Sequence, residues 1–290
     1  MDRRARGPSV PPAERVRSRF AERVGAEIAR ELPSGYQRMG RVLLLRLPPA
    51  LRPHFGTIGE IWREELGVAT VLVRTGPIEG ELRAPHVERV AGDPTETEVV
   101  EHGVRWQFDA ARVMFAAGNR TERLRARRIV RPGESVVDLF AGIGYFAIPA
   151  ALSGPATRVR AVEKNPVAYD YLVRNIERNG VTDRVTPILG DNRDVALEPG
   201  SADRVFLGYL PSAIPWVGRA AELLRPTGGT LHVHTVADAR EARSTAEAEV
   251  RSAVTEAGGR CASLVAREVK PYGPGRTHVV VDAVVGPPRA

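Results

Sequence analysis

The chain has 290 residues, 43% hydrophobic and 27% charged, which suits one large globular domain or a catalytic domain with a smaller companion. A single cysteine, Cys261, excludes an intramolecular disulfide and a cysteine-based metal cluster, and no run approaches the ~18 consecutive apolar residues of a membrane span. The formal net charge of +7 suits a nucleic-acid partner, yet lysine occurs only at 164 and 270 and every other basic residue is arginine, a bias that GC-rich coding also writes. The first 30 residues lack the apolar core of a secretory signal, so a cytoplasmic location is expected.

Residues 1–12 are Arg- and Pro-rich and read as a disordered arm. Val16, Phe20, Val24, Ile28 and Leu32 recur at helical spacing and predict a helix over 13–32, stopped by Pro33. A strand over Val42–Leu47, a helical stretch carrying Ile58, Ile61, Trp62 and Leu66, and a short strand at Thr70–Val73 follow. After a polar linker around 92–97, Val99–Val100 and Val104–Phe108 flank Glu101-His102-Gly103 as a β-hairpin. Residues 13–115 thus read as a small α+β module with no recognisable chemistry.

From about Gly118 strands and helices alternate. Strands are expected at Ser135–Leu139, Arg158–Val162, Val185–Leu189, Arg204–Leu207, Thr230–His234 and Val279–Val285, with helices near 145–153, 167–179, 212–224 and 240–257. This rhythm predicts an α/β Rossmann-like domain over 116–290, a mostly parallel sheet with helices on both faces. Ligand then binds beyond the carboxyl ends of the strands.

The sharpest motif is VVDLFAGIGYFAIPAA, residues 136–151: an apolar strand ending at Asp138, then Ala141-Gly142-Ile143-Gly144, then a helix. Such glycines let the backbone approach a ligand closely. A third glycine at dinucleotide spacing is missing, which favours a smaller zwitterionic ligand over a pyrophosphate. The next strand ends in Glu163, about 20 residues on and placed to accept from two ribose hydroxyls. The strand after it ends in Gly190-Asp191-Asn192-Arg193, where Asp191 can accept from an adenine amino group.

In order and spacing, DLFAGIGYFAIP, AVEKNP, RNIERNGV, GDNRD and ADRVFLGYLPSA resemble the class I S-adenosylmethionine-dependent transferases. The resemblance is nearest to the wybutosine-synthesis aminocarboxypropyl transferases and the related tRNA guanine-N1 methyltransferases. It extends through the segment near Gly76–Glu81, MFAAGNRTERLR (114–125) and KPYGPGRTHVVVD (270–282). It implies S-adenosylmethionine as co-substrate. The implied contacts come from Asp138, Ala141, Gly142 and Gly144, from Glu163 on the ribose and from Asp191 and Asn192 near the adenine; Arg123 would lie at the cofactor entrance.

The fourth strand end separates the subclasses. Amino-group methyltransferases of this fold carry Asn or Asp there, whereas this chain reads Leu207-Gly208-Tyr209-Leu210-Pro211-Ser212. A Leu-Gly pair resembles the aminocarboxypropyl transferases and adds Gly208 to the cofactor contacts. The sulfonium activates three carbons alike, so orientation decides which group moves. Tyr209, Ser212 and Tyr145 are candidates for that choice. His234 is a candidate base, with His232, Tyr272 and His278 behind it. No spacing matches a metal site.

The acceptor is expected to be a small molecule of a bacterial biosynthetic pathway, for example the phenol oxygen of a nocardicin-type β-lactam, as for isonocardicin synthase. Two alternatives stand beside it: modification of tRNA by aminocarboxypropyl or guanine methyl transfer, and cyclisation to azetidine-2-carboxylate. No membrane partner is expected, and the oligomeric state is left open.

Overall fold

The computed structural model describes residues 10–287 apart from 79 and 156. The first nine residues of the expected arm therefore lie outside the described residues. The chain divides into two compact units, one ending at Val100 and taking in Gln107–Phe115, the other made of Glu101–Trp106 and everything from Ala116 onward.

In the first unit α1 (Pro12–Val24) starts on a proline, whose missing N–H has no partner in a first turn anyway. The single helix expected over 13–32 is broken at Gly25, whose φ of 93° no helix accepts, and a short α2 (Ala26–Arg30) follows. Then come β1 (Tyr36–Met39), β2 (Val42–Leu45), α3 (Phe55–Leu66), β3 (Thr70–Arg74) and β4 (Val87–Gly92). They form a four-stranded sheet in the order β1-β2-β3-β4, with β2 and β3 parallel. Val16 and Phe20 of α1 and Ile58, Ile61 and Trp62 of α3 close its core over Leu43, Leu45, Val71 and Val73. The expected hairpin forms as β5 (Glu96–Glu101) and β6 (Val104–Asp109).

The second unit continues with α4 (Arg120–Ile129), β7 (Ser135–Asp138), α5 (Ala147–Ala151), β8 (Arg158–Glu163), α6 (Pro166–Arg178), β9 (Val185–Leu189) and β10 (Arg204–Leu207). It ends with α7 (Val217–Leu223), β11 (Gly229–Asp238), α8 (Ala242–Glu256), β12 (Arg260–Gly273) and β13 (Arg276–Gly286). The seven strands lie in the order β12-β13-β11-β10-β7-β8-β9. β7 to β11 are parallel, and β13 runs antiparallel to both its neighbours. Val137, Leu139, Val162, Val205, Leu207, Leu231 and Val233 pack against α7 and α8. Helices α5 and α6 instead pack with β7, β8 and β9. Among the described residues no helix is long and apolar enough to cross a membrane.

Chain order reverses at β7: β8 and β9 continue to one side, β10 and β11 to the other. A switch of this kind leaves a crevice beyond the carboxyl ends of the strands, where ligands bind in open α/β sheets. The glycine motif stands there.

Candidate active site

The loop after β7 straddles this switch point. Leu139 N–H donates to the Phe206 carbonyl of β10 (3.1 Å), and Ala141 N–H donates to the Val162 carbonyl of β8 (2.9 Å). Gly144 holds φ at 102°, and a Cβ there would lie 2.4 Å from Ile148 Cδ1, so only glycine fits. Asn175 of α6, fully buried, donates from Nδ2 to the Ile143 carbonyl (3.1 Å) and fastens the loop from beneath. Sequence reasoning passed over Asn175, although a polar residue one position before buried Ile176 on the apolar face of α6 was a visible signal.

Three carboxylates occupy successive strand ends. Asp138 is fully buried; Oδ1 accepts from Phe140 N–H at 3.3 Å, and Oδ2 has no partner among the described residues. Burial pushes this carboxyl up to about 7, against the N–H of Phe140 and with help from the charge of Glu163. Glu163 Oε2 accepts from Gly142 N–H and Oε1 from Asn165 N–H, both at 2.7 Å. Burial raises its pKa, opposed by the N–H groups of Asn165, Gly142 and Lys164. Asn165 in turn caps α6 by accepting from Val167 N–H at 3.0 Å.

Asp191 is engaged by the Arg193 guanidinium at 2.5 Å and by Lys164 Nζ at 2.9 Å. Its hydrogen bonds to Arg193 hold its carboxyl well below the usual range, with Lys164 adding to the effect. The carboxylate expected to meet an adenine amine thus already carries two cationic partners. Its neighbour Asn192 is the buried member of the pair. It donates from Nδ2 to the Leu139 carbonyl at 3.0 Å, which leaves Oδ1 buried and without a partner among the described residues.

These residues fit S-adenosylmethionine. Asp138 Oδ2 and Asn192 Oδ1 are both acceptors lacking a donor among the described residues, and the buried carboxylate at 138 with the half-buried one at 163 favours a cationic ligand with hydroxyl and amine donors.

Other expected residues are placed differently. Arg123, expected at a cofactor entrance, is buried at 2% exposure. Its Nε and Nη2 donate to Glu101 (3.0 and 2.7 Å) and its Nη1 to the Ala116 carbonyl (2.9 Å). The guanidinium also lies over Trp106 and over Tyr145, at 5.4 and 5.8 Å from the ring centroids. It supports the glycine loop through Tyr145, whose ring a Cβ on Gly142 would strike at 2.7 Å.

At the end of β10, Gly208 leaves room for the Phe146 ring, which a Cβ would meet at 2.7 Å. Tyr209 joins Phe140 and Trp216 in a three-ring cluster with centroids 5.1–5.2 Å apart. Ser212 Oγ accepts from Ile214 N–H and from the Thr235 hydroxyl, both at 3.3 Å, and so caps the turn before α7.

His234 is buried against Phe146 (5.1 Å), and its Nδ1 lies 3.0 Å from Nε2 of buried His278. Burial pushes His234 well below the usual histidine value, and burial together with Lys270 brings His278 down to about 4. Both rings are buried packing partners of lowered basicity, so the candidate base His234 is enclosed within the fold. His232 is also committed. Arg204 Nη1 can only donate to its Nε2 (2.6 Å), so Nδ1 carries the proton and donates to Asp282 at 2.6 Å. Tyr272, also considered, is exposed near the end of β12.

Comparison with known proteins agrees with this geometry. Residues 97–260 match the family described as TRM5/TYW2 methyltransferase domain, and residues 16–95 match the TYW2 N-terminal domain. The chain is 38% identical over 271 residues to a tRNA(Phe) (4-demethylwyosine(37)-C(7)) aminocarboxypropyltransferase of Pyrococcus horikoshii, covering 92% of this chain and 95% of that protein. The crystal structure of P. horikoshii TYW2 in complex with MeSAdo superposes with a TM-score of 0.83 at 33% identity, covering 94% of this chain and 99% of that one. M. jannaschii TYW2 in complex with AdoMet superposes with a TM-score of 0.71 at 33% identity, covering 87% and 100%. With its two matched segments, its strand order and its three strand-end carboxylates, the chain belongs to the TRM5/TYW2 family of class I S-adenosylmethionine-dependent transferases.

Proposed function

We propose that the chain transfers the 3-amino-3-carboxypropyl group of S-adenosylmethionine to a purine at position 37 of tRNA. The observation that carries this reading is the near full-length similarity to the P. horikoshii aminocarboxypropyltransferase, whose name states that acceptor. The enzyme class and the co-substrate follow from the family; the acceptor is the finer step. A small-molecule acceptor, expected from composition, finds no support in the relatives, and the tRNA alternative replaces it.

When bound, S-adenosylmethionine supplies a sulfonium with three electrophilic carbons. The residues of this chain bind and orient it. Glu163 would accept from the ribose hydroxyls, Asn192 Oδ1 and the strand end at Asp191 would receive the adenine, and the Asp138 carboxylate, its Oδ2 without a donor among the described residues, would favour the cationic group. Gly208 and the cis Leu210–Pro211 loop carry no Asn or Asp to hold an amine for methyl transfer. Orientation in line at ~3–3.5 Å selects the transferred carbon. Burial and lowered basicity make His234 and His278 weak proton acceptors, which supports positioning rather than a histidine base as the source of catalysis.

Mass spectrometry of the nucleoside product tests the reading, with the purified chain given S-adenosylmethionine and either tRNA or phenolic acceptors. Methylthioadenosine together with a mass gain on tRNA is the expected result. S-adenosylhomocysteine would make the chain a methyltransferase, and a mass gain on the phenolic acceptor alone would restore the small-molecule reading.

A further inference from the structure

The edge of the catalytic sheet opposite the cofactor site holds a cleft of about 430 Å³. Its walls include Ser135 at the start of β7, Arg158 at the start of β8 and Thr186 near the start of β9, so it lies at the amino ends of the parallel strands. Arg158 and Glu163 mark the two ends of β8, five residues apart, or roughly 17 Å at the usual strand rise. The cleft is therefore separate from the site at the carboxyl ends.

Its charge is unbalanced. Four guanidiniums, those of Arg158, Arg160, Arg184 and Arg225, face two lining carboxylates, Asp183 and Glu198. Arg184 is taken by Asp183 at 3.3 Å, and Arg225 by Asp203 at 2.6 Å. Arg158 and Arg160 make no ion pair among the described residues. Arg158 Nη1 donates to the carbonyls of Pro155 and Thr157 (3.1 and 3.2 Å), and Arg160 Nη2 donates to Ser201 Oγ (2.6 Å). Ser201 Oγ donates onward to the Glu198 carbonyl at 2.5 Å.

Two arginines that line the cleft, Arg158 exposed and Arg160 half-buried, are thus held, among the described residues, by neutral acceptors only. Burial disfavours the charged form of Arg160, and the charge of Glu198 offsets this only in part. A half-buried guanidinium without a paired carboxylate is costly unless an anion completes it; Arg158 and Arg160 stand two apart on β8 and so share a face of the strand, and arginine forks match the geometry of phosphate oxygens.

We propose that this cleft binds a phosphate-bearing anion through Arg158 and Arg160. The same chemistry is offered by the phosphodiester backbone of an RNA and by a free polyphosphate. The site does not depend on which acceptor the enzyme modifies.

The test is calorimetric titration of the full chain with inorganic tripolyphosphate at low ionic strength, beside the double variant Arg158→Ala, Arg160→Gln. Wild type binds, and the variant binds about tenfold more weakly or worse, while its affinity for S-adenosylmethionine and its unfolding temperature stay unchanged. A tRNA transcript then distinguishes the sources. If RNA fills the cleft, the slope of log affinity against log salt falls by about two in the variant; if free polyphosphate does, the slope is unchanged. Equal tripolyphosphate affinity in both proteins, or none in wild type, overturns the proposal. Should the variant unfold, phenylglyoxal labelling of wild type decides: tripolyphosphate protects Arg158 and Arg160, and unprotected arginines reject the site. Product analysis for aminocarboxypropyl transfer is read independently, so failure of that reading leaves this result standing.

Discussion

Glu163 Oε2 accepts the backbone N–H of Gly142 at 2.7 Å, tying the end of β8 to the glycine loop that leaves β7. The carboxylate assigned to the ribose is therefore also a structural tie, and its second oxygen holds Asn165 N–H at the entry to α6. Truncating it removes a ligand contact and leaves two backbone donors without their acceptor.

Glu163→Ala is accordingly expected to weaken S-adenosylmethionine binding by about 100-fold, the worth of one or two charge-assisted hydrogen bonds, and to destabilise the fold by ~1–3 kcal/mol. Glu163→Gln keeps one acceptor oxygen and should lose less of both. Calorimetry with S-adenosylmethionine and thermal unfolding on the same samples check the pair of effects. Intact affinity in the alanine variant would remove Glu163 from the site.

Asp138 gives a pH signature. Its folded pKa of about 7 lies above the ordinary aspartate value. For a raised acid, the contribution to stability is complete below about pH 4 and is lost as pH rises toward 7. A cationic ligand prefers the ionised carboxylate, so S-adenosylmethionine should bind about tenfold more tightly at pH 8 than at pH 6. Asp138→Asn should flatten this dependence. The same slope in both proteins would assign the titration elsewhere.

On β13, Asp282 accepts from His232 Nδ1 and from Arg125 (3.0 and 3.3 Å) and pairs with Arg267. Burial pushes its carboxyl up, yet His232, Arg125 and Arg267 together hold it well below the usual range. Asp282→Asn places an amide among these donors and should cost about 3 kcal/mol in urea unfolding. Arg267→Ala removes only the partly exposed partner and should cost less than about 1 kcal/mol. Equal costs would mean that the network is not organised around Asp282.

The parts of this molecule that were legible in the sequence are those set by local chemistry. Asp138, Gly144 and Glu163 follow from apolar runs interrupted by glycine and acid at strand ends, a pattern that depends only on near neighbours. The edge strand β12 escaped notice because most of its residues face solvent and its register slips at three places, which erases the alternation that marks a strand. Helix α4 was missed because its run of arginines hides the face that buries Glu122, Arg123 and Ala126. The pairing of Arg123 with Glu101 spans 22 residues, and that of Arg125 with Asp282 spans 157. Such contacts have no sequence period. For a related reason alternation along β11 places His232 and His234 on one face but does not say what covers that face.

Gly208 offers the sharpest test of the loop at the end of β10. A Cβ there would lie 2.7 Å from Phe146 Cε2. The Phe146 ring cannot swing aside freely, since Phe206 stacks on it at 5.5 Å and His234 packs against it at 5.1 Å. Gly208→Ala should therefore displace either the loop or the ring and cost ~1–3 kcal/mol of stability, the usual penalty for overpacking. Because Phe146 closes the glycine loop that begins at Asp138, the same displacement should lower turnover more than it lowers S-adenosylmethionine affinity. The split between kcat and KM, measured with tRNA and the nucleoside product followed by chromatography, reads this directly. A variant with wild-type stability and wild-type kcat would show that the ring has room to move and that Gly208 has no part in shaping the reacting geometry.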